Sequence, residues 1–383
     1  MKSIIRNFSR VLTGLVFIFS GFVKGVDPMG TAYKFEDYFI ALNIPWMLDM
    51  SVALAVILIA AEFIIGWMLL FNIRTRVTAW FVLGFMLLFT PLTLWLAITD
   101  KVTDCGCFGD FVVMTNMQTF LKNVVLLIFV VVLFATRRAF RNAMAGWKQI
   151  AIAILGVLII FYVMHTGYNH EPKLDFRPFN VGANLSENML PTPEIAEVNL
   201  IYQHTETGEE LSYTPKTLPY RDSILFPKLK FLRQEKKILQ EFKPAAASFE
   251  MFGTDGHDYS AEIIGYKDFI LVLFIQDIEN TDKEAFAKIA ALQEEASQRG
   301  IRMVAVSGSA YEPVEKFLKD AGTPMEHYSA DVIKIKTVVR ANPGLLLLKN
   351  GYVLGKWHYH DFPELKTLEI CGPVNSFAPV STP

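Results

Sequence analysis

Residues 51–71 read SVALAVILIAAEFIIGWMLLF, an uninterrupted apolar run that carries one charge, Glu62. Crossing ~30 Å of hydrocarbon as a helix takes ~20 apolar residues, so this stretch predicts a transmembrane span. Working outward, four more segments meet the same criterion: 5–23, 77–98, 119–136 and 149–165. The first follows Lys2, Arg6 and Arg10, as a secretory signal would. It ends, however, in Ser20-Gly21-Phe22-Val23-Lys24 with no small-residue cleavage site, so it is read as a retained helix. Five spans make the lipid bilayer the first partner of this chain.

Composition agrees. The 383 residues are 52% hydrophobic and 19% charged, against about 25% charged in an ordinary soluble domain. The apolar excess lies before residue 170, and the rest reads as a globular sequence. A net charge of −2 gives no reason to expect nucleic acid, and three cysteines cannot staple a disulfide scaffold.

Basic residues set the orientation. Lys2, Arg6 and Arg10 precede the first span, Arg74 and Arg76 separate the second and third, and Arg137, Arg138, Arg141 and Lys148 separate the fourth and fifth. All three groups fall on one side of a five-span chain, which makes that side cytoplasmic. The expected location is a bacterial inner membrane, multi-pass, with everything after about residue 166 in the periplasm.

Two features of the membrane half can carry chemistry. The loop between spans 3 and 4 contains Asp104-Cys105-Gly106-Cys107-Phe108-Gly109-Asp110. In an oxidising compartment such thiols form disulfides, and a strained, exposed disulfide tends to be catalytic or labile. Asp104 and Asp110 are expected to raise both thiol pKa values. A passive loop disulfide is the alternative, and no nearby Cys or His completes a metal site. The second feature is Glu62. A carboxylate at mid-membrane needs a partner inside the bundle, either to handle protons or to fix helix packing.

These residues carry a resemblance. Arg10 with Gly14, then Phe19-Ser20-Gly21 and Lys24, are similar to the first-helix pattern of the DoxX family, and Glu62-x-x-x-Gly66 followed by Arg74 resembles its second helix. The Asp-Cys-Gly-Cys-Phe-Gly run resembles the MauE-like branch of that superfamily. The resemblance implies a four-helix unit and quinone-linked or thiol–disulfide redox work at the membrane. A quinone is thereby the one cofactor it suggests, and no metal is implied.

The soluble half begins with a Pro-punctuated connector, in which 199–204 and 210–213 read as a small hairpin and 229–242 has helical spacing. From about 249, strands alternate with helices, starting with the buried run 269–275 and a helix whose capping box is Thr281 and Glu284. Asn350-Gly351 predicts a closing hairpin. This order resembles the thioredoxin-like fold, with Asn342-Pro343-Gly344 at the family's cis-proline position. Its paired thiols would lie at about 277–282, where this chain has no cysteine. Cys371 reads as a small buried hydrophobe. His358 and His360 flank Tyr359 on the last strand and read as its solvated face.

The expected architecture is therefore an α-helical transmembrane bundle (a DoxX/MauE-like unit over 1–140 and a fifth span over 141–170), a connector over 171–248, and a degenerate α/β thioredoxin-like domain over 249–383. The leading functional expectation is a membrane thiol–disulfide or quinone-linked redox protein acting with a periplasmic or membrane protein partner through Cys105, Cys107 and Glu62. The alternative is a non-enzymatic assembly factor that anchors a docking domain.

Overall fold

A computed structural model of the chain describes residues 2–102, 104–140, 144–188, 195–205, 207–214, 217–219, 225–240 and 249–367. Its first half contains α1 (Lys2–Val26), α2 (Pro28–Ala41), α3 (Ser51–Leu70), α4 (Thr75–Thr99), α5 (Asn116–Ala135) and α6 (Gly146–Asn169). Five segments are long and apolar enough to cross a membrane: Ser3–Val26, Pro45–Leu70, Thr75–Thr99, Asn116–Ala135 and Gly146–Asn169. Each overlaps a span read from the sequence and extends it by a few residues. The exception, α2, was not foreseen. Asp27 starts it by accepting a hydrogen bond from the Gly30 amide at 2.9 Å, with Pro28 at its first position.

Small residues seat α1 against α3. A Cβ on Gly66 would lie 2.6 Å from the Ile18 nitrogen and 2.7 Å from the Gly14 carbonyl oxygen, and one on Gly21 would lie 2.7 Å from the Phe63 nitrogen. Lipid offers no hydrophobic drive between helices, so such close backbone contact supplies the packing energy. Arg10 locks the far end by donating to the carbonyls of Leu69 and Leu70, where a cation also meets the negative end of the α3 dipole. Against α3, the fifth span α6 is fixed by Trp67, whose indole donates to the Ile152 carbonyl at 2.9 Å.

After the short α7 (Leu185–Asn188), strands β1 (Ile195–His204), β2 (Glu210–Tyr213) and β3 (Leu229–Gln240) form an antiparallel sheet in the order β2-β1-β3. The hairpin is the one expected. The helical expectation for 229–242 is overturned: from 229 to 240 the segment is strand β3, paired with β1 from Ile195↔Gln240 to His204↔Leu229. A two-stranded hairpin is marginal alone, and a third strand satisfies the open edge of β1, so pairing overrides a helical spacing.

The following domain contains α8 (Ser260–Ile264), β4 (Phe269–Ile275), α9 (Ala285–Gln298), β5 (Arg302–Ser307), α10 (Tyr311–Asp320), β6 (His327–Ser329), α11 (Val332–Val338), β7 (Gly344–Lys349) and β8 (Tyr352–His358). Its sheet runs β6-β5-β4-β7-β8, parallel among β6, β5 and β4 and antiparallel beyond. Every residue of β4 is buried, because both faces are covered. Ile270, Val272 and Phe274 pack with Ile335 and Val338 of α11. Leu271, Leu273 and Ile275 pack with Phe286, Ile289 and Leu318 of α9 and α10. The β7–β8 turn holds Asn350 at φ 48° and Gly351 at φ 84°, as its sequence predicts, and the Asn342–Pro343 peptide is cis.

Two local expectations are corrected here. The start of α9 is capped by Asp282, which accepts from the Ala285 amide at 2.9 Å, while the Thr281 hydroxyl is buried without a partner. Strand β8 stops at His358, so His358 and His360 do not share a solvated strand face. His358 is 5% exposed, and residues Tyr359–Asp361 turn away from the sheet. The turn instead meets the end of α6: His360 Nδ1 lies 2.9 Å from the Asn169 carbonyl and His170 lies 2.7 Å from Asp361. Cys371 lies outside the described residues.

Candidate functional site

The thiol loop joins α4 to α5 and folds inward over the end of the bundle. Gly106 at φ 65° and Gly109 at φ 52° allow the reversal, and Asp104 braces it by accepting from the Gly106 amide at 2.9 Å. Side chains from α1 and α2 then hold its backbone. Ser20 Oγ lies 2.7 Å from the Cys107 carbonyl, and the Tyr38 hydroxyl donates to the Cys105 carbonyl at 3.0 Å. Lys34 pairs with Asp104 at 2.9 Å. The two thiols are half-buried rather than exposed, with their sulfurs 3.1 Å apart as a hydrogen-bonded pair.

Glu62 meets the same loop from below. Lys24 binds both of its oxygens, at 2.7 and 2.9 Å, and Ser20 Oγ lies 2.8 Å from Oε2. The Ser20 hydroxyl has one proton and two acceptors, the Glu62 carboxylate and the Cys107 carbonyl. Cys105, Cys107, Glu62, Lys24 and Ser20 all line one partly open cavity, whose remaining wall includes Phe85, Met86, Phe89 and Leu92. The three residues singled out in the sequence are therefore brought together.

The electrostatics differ from expectation. Cys105 is pushed up by its hydrogen bond to Cys107 and by burial. Cys107 is pulled down, first by that hydrogen bond and then by the ammonium groups of Lys122 and Lys24, against its burial. Asp104 and Asp110 are not among the main causes of either shift, and each faces its own cation: Lys34 for Asp104, and Arg340 at 3.2 Å for Asp110.

Arg340 belongs to the soluble domain, which sits on the loop through α2. Its guanidinium pairs with Asp27 at 2.7 Å, Lys336 pairs with Glu36 at 2.8 Å, and the Tyr33 hydroxyl lies 3.2 Å from Gln276 Oε1. Gln276, at the end of β4, also takes up the cis-proline segment: its amide donates to Asn342 Oδ1 at 3.0 Å, and its side chain to the Ala341 carbonyl at 3.1 Å. Helix α2 is thus pressed between the soluble domain and the thiol loop. Behind it lies a buried ionic cluster. Arg177 binds Glu171 at 2.8 Å and Asp175 at 2.7 Å, and Lys356 binds Asp175 at 2.8 Å. Among the described residues, no three His, Cys, Asp or Glu side chains are grouped to hold a metal ion.

Residues 2–136 match the sequence profile of the family described as methylamine utilisation protein MauE. The match covers about a third of the chain, from α1 through α5, and includes both cysteines and Glu62; α6 and the soluble domain lie beyond it. No curated protein and no solved structure matches the chain.

The sequence reading missed the surroundings of its own site. Lys24 was legible as an ionisable group at a span end and as part of the first-helix pattern, but not as the partner of Glu62, which lies 38 positions away. Lys122 had a signal, being the one charge within the apolar run 119–136 before Arg137 and Arg138. Tyr38 and Lys34 had none, because α2 was read as a connecting loop.

Proposed function

We propose that this chain is a thiol–disulfide redox protein of the bacterial inner membrane, in which Cys105 and Cys107 take electrons from a periplasmic partner dithiol and pass them to a quinone in the cavity. The observation that carries this reading is the shared cavity: two thiols 3.1 Å apart, a buried carboxylate and an apolar aromatic wall line the same space. The donor set suits a quinone ring, which needs an apolar slot, a nearby electron source and a proton source.

The exchange balances as follows. The partner's dithiol reduces the Cys105–Cys107 disulfide, so the partner gains a disulfide and the loop becomes a dithiol. Re-forming the loop disulfide releases two electrons and two protons. A bound quinone supplies the acceptor for both. Ser20 Oγ bridges the Cys107 carbonyl and the Glu62 carboxylate, which places that carboxylate beside the loop to take up protons released by the thiols. Lys24 holds the Glu62 carboxylate in place for that role.

The soluble domain reads as thioredoxin-like without its thiols. Supporting this are the strand order around β4, the cis Asn342–Pro343 peptide and its contact with Gln276. Thiolates are required for exchange, so this domain guides partners or the loop rather than reacting. Its lack of cysteine at 277–282 also favours the second reading, a membrane-anchored assembly factor with no redox step. Mass-tagging of free thiols in intact membranes separates the two. The Cys105–Cys107 pair is expected to be mostly oxidised in respiring cells and to become reduced when quinone synthesis is blocked. A pair whose state is the same under both conditions sinks the redox reading.

A further inference from the structure

Three lysines line the cavity beside the thiols: Lys24, Lys34 and Lys122. Two of them are neutralised where they stand, Lys24 by Glu62 at 2.7 Å and Lys34 by Asp104 at 2.9 Å. Lys122 is different. Among the described residues it makes no ion pair or hydrogen bond, and its ammonium lies 4.3 Å above the ring of Phe108, the residue that follows Cys107. That ring is fixed from its other neighbours by an edge contact to Phe19 at 5.4 Å. The cation is therefore held against the Cys107 end of the loop by a ring that cannot neutralise it.

We propose that Lys122 selects Cys107 as the thiolate of the pair, which leaves Cys105 as the sulfur attacked by the partner. This rests on the redox reading above. A partner thiolate attacks Cys105 Sγ and forms a mixed disulfide; the Cys105–Cys107 bond breaks, and its electron pair leaves on Cys107. A stabilised leaving thiolate departs faster, so the ammonium accelerates this step and fixes its direction. Cys107 then sits as an anion on the cavity wall, while Cys105 is released when the partner's second thiolate closes its own disulfide. The lowered position of the Cys107 thiol and the raised position of Cys105 agree with this order. The other titratable groups facing Cys107 are Lys24, which acts in the same sense as Lys122, Glu62, which opposes them, the Tyr38 phenol and Cys105 itself.

The test uses the reduced full-length protein in detergent, alkylated with iodoacetamide across pH 5–9 and read by fragment mass spectrometry, which resolves Cys105 from Cys107. At pH 7 the wild type is expected to label Cys107 well before Cys105. Lys122→Met is expected to move the Cys107 midpoint up by about one pH unit, slowing its labelling about tenfold at pH 5 and about twofold at pH 7, while Lys122→Arg retains the wild-type profile. Lys122→Gln provides the same loss of charge if the Met variant is not recovered. An unchanged Cys107 profile in the neutral variants, or faster labelling of Cys105 in the wild type, overturns the assignment. Labelling needs no electron acceptor and no partner, so this result stands apart from whether the pair cycles in cells.

Discussion

The Lys24 ammonium lies 2.7 and 2.9 Å from the two oxygens of Glu62, and each side chain is 6% exposed. A carboxylate that looked isolated in the sequence of α3 is half of an ion pair sealed between α1 and α3. Buried pairs add little net stability, but removing one partner strands the other charge. That asymmetry governs how the site can be tested.

Glu62→Gln is therefore expected to unsettle the bundle as well as remove a proton carrier, with a loss of about 3–5 kcal/mol. Replacing both partners, Lys24→Gln with Glu62→Gln, removes the charge imbalance and should recover most of that stability. Thermal unfolding of the detergent-solubilised variants measures it. If the double variant is as unstable as the single one, the residues are not energetically paired.

Gly66 allows the α1–α3 contact, with a would-be Cβ only 2.6 Å from the Ile18 nitrogen. Gly66→Val must push α1 outward, and overpacking of this kind costs about 1–3 kcal/mol. Because Ser20 and Lys24 ride on α1, the variant should also lose reactivity at Cys107. Gly84→Ala serves as the control, since a Cβ there meets nothing within 4 Å.

Acid should release the soluble domain from α2. Burial alone would raise Asp27, Glu171 and Asp175, but Arg340 and Arg177 around Asp27, and Lys356 and Arg177 around the other two, hold all three below the usual carboxylate range. For depressed carboxylates the stabilisation is complete above the unfolded value near ~4 and is lost as pH falls through the folded values. Hydrogen exchange of residues 28–41 is expected to stay protected from neutral pH down to about 5 and to rise below ~4. Arg340→Met should raise it already at neutral pH. Equal protection of these amides throughout would mean the ionic contacts do not hold the domain.

The sequence was most informative where single residues decide the physics. Uncharged runs gave five spans, Cys105-Gly106-Cys107 marked the loop that closes over the cavity, and Asn350-Gly351 fixed a hairpin. It was least informative where partners lie far apart. Nothing local to Glu62 names Lys24, and nothing in 229–242 reveals that β1 needs a third strand. The Asp27-Pro28 start of α2 was a readable helix signal, but the search for apolar spans passed over a helix of mixed polarity. The pull on Cys107 was misjudged for the same reason: Asp104 and Asp110 are adjacent in sequence, whereas Lys34, Arg340 and Lys122 arrive from elsewhere.

The central claim is that the cavity couples the Cys105–Cys107 pair to a quinone. The direct measurement reconstitutes the reduced full-length protein in liposomes with a short-chain quinone under anaerobic conditions. Loop oxidation is followed by thiol mass-tagging, and quinone loss by absorbance, with intact mass distinguishing a disulfide from a quinone adduct. One disulfide formed per quinone reduced is expected in the wild type, and none in Cys105→Ser or Cys107→Ser. Thiols that remain reduced in the wild type, or that oxidise equally without quinone, would contradict the account.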